Sequence, residues 1–192
     1  MSLVIKKHSH TRGSTARIFR GIAKLTDGKY AALTFNSNIT AKSGSSSEKN
    51  NTPKLYVTIF NSDFSTFLTA SIQVGTANAK QTLGQIASMA VDSSNNIHVV
   101  YNYRTSPQTT ALKDQGQTLR YRKVTYNGTT LTVGSETTVF STAGYYSGVD
   151  IDVPMGIAVA ANPVIAFVHS ATGSTFATRL TQIAGLQTTQ IQ

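Results

Sequence analysis

Ser88-Met-Ala-Val-Asp-Ser-Ser-Asn-Asn-Ile-His-Val-Val-Tyr101 is the stretch on which the reading of the fold turns. A short apolar run leads into polar residues with turn chemistry, and a run of β-branched and aromatic side chains follows. That is the pattern of two strands joined by a tight hairpin. It occurs twice more, at Gly21-Ile-Ala-Lys-Leu-Thr-Asp-Gly-Lys-Tyr-Ala-Ala-Leu-Thr-Phe35 and at Gly156-Ile-Ala-Val-Ala-Ala-Asn-Pro-Val-Ile-Ala-Phe-Val-His169. The turns are read at Asp27-Gly28, Ser94-Asn95-Asn96 and Ala161-Asn162-Pro163. The second strands then begin near Tyr30, Ile97 and Val164, so both intervals are 67 residues. Self-similarity at a fixed period marks a repeat architecture.

Each unit continues into a third strand, at 54–61, 118–127 and 174–181. A fourth is expected at 67–74 and 130–139, where Asn127-Gly128 supplies a hairpin turn. In the third unit little chain remains before Gln192, so that unit is expected to be incomplete. The expected fold is all-β, in antiparallel four-stranded blade repeats: about three blades of a β-propeller, or the N-terminal part of a larger one. The divisions are a basic N-terminal arm at 1–16, units at 17–80 and 81–145, and the incomplete unit at 146–192. Strands are expected near 30–36, 54–61, 96–103 and 118–126. Insertions at 37–53 and 105–117 both join a second strand to a third, and should emerge on one face.

Composition fits a β-rich, turn-rich chain: 28 Thr, 20 Ser and 11 Asn among 192 residues. Charged residues make up 13%, about half the usual share. Cysteine and tryptophan are absent, which excludes a disulfide scaffold, a thiolate metal site and a cysteine nucleophile. No apolar run approaches the roughly 18 residues of a membrane-spanning helix. The first sixteen residues lack the apolar core of a secretory signal.

Seventeen Lys and Arg oppose eight Asp and Glu, a formal charge of +9. Lys6, Lys7, Arg12, Arg17 and Arg20 fall in the first twenty residues with no acid among them. They are the candidate docking residues, suited to an acidic partner surface. Arg120, Arg122 and Lys123 form a second cluster. Aromatic residues do not interleave with these basic ones as stacking platforms would, which speaks against nucleic acid as the partner. Asp150 and Asp152 stand two apart, on one side of a strand. With Tyr145 and Tyr146 they are the candidate ligand face, since paired carboxylates can hold a cation or move a proton and exposed rings can stack on sugars. Both readings compete with an ordinary solvated turn.

Other motifs carry less. His8 and His10 have no further ligand nearby to complete a metal site. His98 and His169 are read as packed or locally hydrogen-bonded. Gly28-Lys29 is no phosphate loop, because Ala23 and Tyr30 occupy the positions that need glycine and a hydroxyl. No Gly-x-Ser-x-Gly elbow occurs. The three Asn-x-Thr sites, at Asn38, Asn50 and Asn127, are as many as this composition gives by chance. No catalytic residue, metal site or cofactor is expected.

Ile86-Ala-Ser-Met-Ala-Val-Asp-Ser-Ser-Asn-Asn-Ile-His-Val-Val-Tyr101 and Leu119-Arg-Tyr-Arg-Lys-Val-Thr-Tyr126 resemble blades of the sialidase-like superfamily of propellers, over about residues 17–185. The Asp-box of sialidases, Ser-x-Asp-x-Gly-x-Thr-Trp, is absent. So is an arginine triad, because only Arg179 lies in the third unit, and the resemblance transfers no enzymatic activity. In style the cysteine-free, Thr/Ser/Asn-rich chain also resembles tailed-bacteriophage tail fibre, spike and baseplate proteins. That likeness implies a non-catalytic structural or adhesive repeat protein in the virion, in a tail or surface appendage, docked through its N-terminal arm. Other virion proteins or copies of itself would be its partners and a host surface glycan a ligand. The alternative is an extracellular carbohydrate-binding or glycosidase-like propeller.

Overall fold

The computed structural model describes residues 16–37, 54–72, 83–104, 117–141, 155–159, 162–170, 176–182 and 187–191. Its hairpins begin with the turns. In 25–29, 61–65 and 92–96 the first amide donates to the fifth carbonyl, at 2.8, 2.9 and 3.0 Å, and the fourth amide donates back to the first carbonyl. This geometry puts the fourth residue at positive φ: Gly28 at 85°, Phe64 at 63° and Asn95 at 62°. Glycine and asparagine tolerate that conformation, whereas for a bulky aromatic it is strained. Aspartates lock the turns: Asp27 accepts the Lys29 amide, Asp63 that of Ser65, and Asp92 those of Ser94 and Asn96.

Strands β1 (Ala16–Lys24), β2 (Tyr30–Ser37), β3 (Lys54–Phe60) and β4 (Thr66–Ile72) form the first sheet in chain order. The middle sheet contains β5 (Leu83–Val91), β6 (Ile97–Arg104), β7 (Gln117–Tyr126), β8 (Leu131–Val133) and β9 (Thr137–Ser141). The third contains β10 (Met155–Val159), β11 (Pro163–Ser170), β12 (Phe176–Gln182) and β13 (Gln187–Ile191). All pairings are antiparallel. No helix occurs among the described residues, and no sheet closes on itself. The all-β, antiparallel expectation holds at this level.

Three details differ from the sequence reading. The third sheet, expected to be incomplete, has its fourth strand, because β13 pairs with β12 from Thr178↔Ile191 to Gln182↔Gln187. The single fourth strand expected at 130–139 is split in two, with β8 and β9 both paired to β7. The repeat interval also shifts. The closing pairs of the hairpins are Lys24↔Tyr30, Val91↔Ile97 and Val159↔Pro163, so the second strands start 67 and 66 residues apart and the first strands end 67 and 68 apart. Pro163 belongs to the strand rather than to the turn, at a first position where its missing amide proton is tolerated. One residue of slip reverses every side chain.

That register decides the packing. Leu33, Val57 and Ile59 of the first sheet bury against Ile97, Val99, Tyr101 and Val124 of the middle sheet. On the opposite face, Val100, Leu119 and Tyr121 meet Ile165 and Phe167 of the third. The middle sheet is therefore covered on both sides, each fully buried large side chain contributing about 1.5–3 kcal/mol. The first strands β1, β5 and β10 run beside one another, and outer strand β4 lies near β8. The three sheets stack like repeated layers, each set on the next in the same order.

Candidate functional site in the charged seams of the middle sheet

Strand β7 reads as alternating, and its alternation would suit one wet face. Instead both faces are packed over 119–122, and on one of them Lys123 and Thr125 beyond are exposed. Arg120 and Arg122 pair in register with Tyr101 and Val99, which puts them on the side facing the first sheet. Both guanidinium groups are half-buried and meet one carboxylate. Glu136 accepts from Arg120 Nη1 through Oε1, and its Oε2 lies 3.7 Å from Arg122 Nη2. The Tyr101 hydroxyl donates to Glu136 Oε2 at 2.6 Å and accepts from Arg122 Nε at 3.3 Å. Arg122 Nη1 also donates to the Gly134 carbonyl at 3.0 Å.

The break between β8 and β9 is what makes this cluster. The Gly134 amide donates to the Lys123 carbonyl at 2.8 Å. A Cβ on Gly134 would sit 2.9 Å from that same oxygen, so the close approach requires glycine. The chain then loops through Ser135 and returns Glu136 over the two arginines. Burial, followed by the adjacent Glu136 carboxylate, pushes the Tyr101 hydroxyl well above the ordinary tyrosine range.

A second polar group lies on the opposite face. His98 is buried, with Nδ1 2.7 Å from the Tyr121 hydroxyl and Nε2 3.1 Å from Asp92 Oδ2. A proton on Nε2 donated to the carboxylate leaves Nδ1 to accept the Tyr121 hydroxyl, and this assignment satisfies all three groups. Burial alone would raise the Asp92 carboxyl. Hydrogen bonds from the Asn96 amide group, His98 and the backbone amides of Asn96 and Ser94 outweigh it and hold the carboxyl below its ordinary range. Burial, helped by the Asp92 charge, pushes the Tyr121 hydroxyl up to about 12.

A third contact ties the turn ends together. Asn95 Nδ2 donates to Thr26 Oγ1 at 2.6 Å, and the Thr26 amide donates to Asn95 Oδ1 at 2.9 Å. The Tyr126 hydroxyl contacts Asp27 Oδ2 and the Gly128 carbonyl, each at 2.9 Å. Lys29 pairs with Asp27 at 2.7 Å and stands 5.0 Å over the Phe67 ring. Equivalent turns of neighbouring sheets are thus joined by side chains.

These groups are consumed by one another. Their chemistry is structural: the two charged groups brace the middle sheet internally, Glu136 offsetting part of the charge of Arg120 and Arg122, while the turn contacts fasten the first sheet to the middle one. Tyr121 gives the seam a measurable pH dependence. A hydroxyl near 10 unfolded and near 12 folded stabilises fully below pH 10 and loses that contribution as the pH rises to 12. The two-unit difference corresponds to about 2–3 kcal/mol. Tyr121→Phe should flatten the fall in stability between pH 10 and 12, read from urea midpoints; an unaltered slope would show the hydroxyl to be exposed.

Of the sequence candidates, Lys6, Lys7, Arg12, Tyr145, Tyr146, Asp150 and Asp152 lie outside the described residues. Arg17 and Arg20 belong to β1, where Arg17 pairs with Asn36 and Arg20 falls at the register irregularity between Phe19 and Gly21. They are part of a sheet. Tyr101 is 1% exposed and committed to Glu136. Sequence reasoning missed Glu136 and Asp92. Their scarcity was the signal: Glu136 is the sole acid between Asp114 and Asp150. Among the described residues no group of three or more His, Asp and Glu could hold a metal ion, and no helix is long and apolar enough to cross a membrane. Comparison with family models, curated proteins and solved structures finds no match, so the functional reading rests on sequence and geometry.

Proposed function

We propose that the chain is a non-catalytic structural or adhesive component of a virus particle, its three sheets acting as blades of a β-propeller. The tail fibre, spike or baseplate of a tailed phage is the setting its composition suits. The observation that carries this reading is the use of ionisable side chains. Arg120, Arg122, Glu136, Asp92 and His98 are committed to one another inside the middle sheet, and Thr26–Asn95 and Asp27–Tyr126 contacts tie the first sheet to it. The first strands β1, β5 and β10 lie side by side, as innermost strands of successive blades would. The basic residues at 1–15 supply the docking element toward an acidic surface on a neighbouring virion protein.

Deleting residues 1–14 separates docking from folding. The truncated chain should keep its melting temperature within about 2 °C, while losing incorporation when supplied to particles that lack the protein. Incorporation at the full level would remove the docking role. A loss of several kcal/mol in stability would show that these residues complete a sheet.

A further inference from the structure

Strand β4 forms one edge of the first sheet. Among the described residues its backbone pairs with β3 alone, so the amides and carbonyls along its other side meet no described strand. Edges of this kind are ordinarily protected by lysine, proline, a bulge or a short length. β4 has little of that protection. Thr66-Phe-Leu-Thr-Ala-Ser-Ile72 contains no charge, proline or glycine, and no charged residue lies between Asp63 and Lys80. One irregularity falls beside the turn: Leu68 pairs with Ile59 and Thr66 with Phe60, which leaves Phe67 without an opposite residue. Beyond it, Leu68 to Ile72 pair regularly with Ile59 to Leu55.

This edge is open in the single chain. Thr66 and Thr69 are exposed, Phe67 is 40% exposed, and Leu68 and Ala70 are half-buried. The middle sheet treats the same position differently. Its outer edge is broken at Gly134 into β8 and β9, of three and five residues, set on different parts of β7. An interrupted edge is a poor template for another strand, and a continuous one is a good template.

Charge and sequence say which strand fits. The chain carries +9, so two copies repel except where their contact avoids the basic residues. β4 is such a place. Set antiparallel against itself about Ala70, the strand matches Leu68 with Ile72, Thr69 with Ser71 and Ala70 with its own copy. Apolar meets apolar, hydroxyl meets hydroxyl, and small meets small. This register engages all five regularly paired residues. A slip of one residue would set Thr69 against Ile72 or Leu68 against Ser71.

We infer that β4 is the contact between two copies of this chain, paired antiparallel through their edges about a two-fold axis at Ala70. The two first sheets then join into one sheet of eight strands. The contact is isologous, so each match is made twice, and it covers both β4 edges at once, leaving none for a third copy. It goes beyond the virion reading and does not depend on it.

The test is the mass of the full chain by light scattering over a hundredfold range of concentration, joined to cross-linking at single introduced cysteines. The expected mass is twice that of the chain. Thr69→Lys, an exposed position given the charge that guards natural edges, should reduce it to the chain mass with an unchanged β spectrum by circular dichroism. In Ala70→Cys the two Cβ atoms face each other at about 4.5–5.5 Å, near enough to be drawn into a disulfide. Mild oxidation should therefore link two chains. Thr66→Cys should stay unlinked, because its two copies stand about 25 Å apart along the joined strands. A wild-type chain at single mass throughout overturns the contact. So does a dimer that survives Thr69→Lys, which places the interface elsewhere on the chain. Linkage through Thr66→Cys, or none through Ala70→Cys, overturns the register and the inference with it.

Discussion

Replacing Glu136 with alanine should lower the stability of the folded chain by about 3 kcal/mol, measured by urea unfolding at neutral pH. The carboxylate answers two half-buried guanidinium groups and the Tyr101 hydroxyl. Removing one partner of a buried ionic cluster leaves the other charges without compensation, a loss of about 3–5 kcal/mol when fully desolvated. Arg120, Arg122 and Glu136 retain 16–18% exposure, which places the expectation at the lower end. The whole cluster should matter less than its half. Arg120→Met, Arg122→Met and Glu136→Leu combined removes every charge at once and should cost less than Glu136→Ala alone. A Glu136→Ala loss below about 0.5 kcal/mol would mean that the seam is open to water and contributes as a surface pair does.

Ile165→Ala should cost about 3 kcal/mol, and Val164→Ala about 1 kcal/mol or less. Ile165 is fully buried against Val100 and Tyr121, whereas Val164 points away from the middle sheet. A cavity left by a buried Ile accounts for the larger figure. The pair tests register as well as burial, because an interval of 67 residues throughout would exchange the two roles. Equal losses, or the reverse order, would show that the third sheet packs through its other face.

The contrast between these neighbours shows what the sequence could reveal. The hairpins were legible because apolar runs flank Asp27-Gly28 and Ser94-Asn95-Asn96, whose chemistry demands a turn. Strands β2, β3, β6 and β7 fall within about a residue of expectation for that reason. The third turn misled because Pro163 usually belongs to a turn, whereas here it opens β11. The split of the outer strand was hidden in Gly134, whose role depends on the Lys123 carbonyl of the neighbouring strand, eleven residues back in the chain.

The candidate site was less legible still. Arg120 and Arg122 looked like a basic surface because local sequence shows their charge and not Glu136, folded back over them from sixteen and fourteen residues further along. His98, expected to be packed or locally hydrogen-bonded, is buried, and its partners Asp92 and Tyr121 lie six and twenty-three residues away. Pairings of that kind follow from the register, which one residue of slip would undo. Lys123, next in the same cluster, is exposed on the other side of β7.

The stacking of one sheet on the next is the central claim, and a cysteine pair between Gly21 and Met89 tests it most directly. A Cβ built on Gly21 lies 3.9 Å from that of Met89, across the seam between β1 and β5. That separation is close to the mean for disulfides. The chain has no cysteine of its own, so within one chain the two introduced thiols can pair only with each other. In Gly21→Cys/Met89→Cys, mild oxidation should form an intramolecular disulfide, seen as faster migration on a non-reducing gel and as loss of both free thiols. Two thiols that stay free in an oxidised, folded chain with an intact β spectrum would contradict the stacked arrangement.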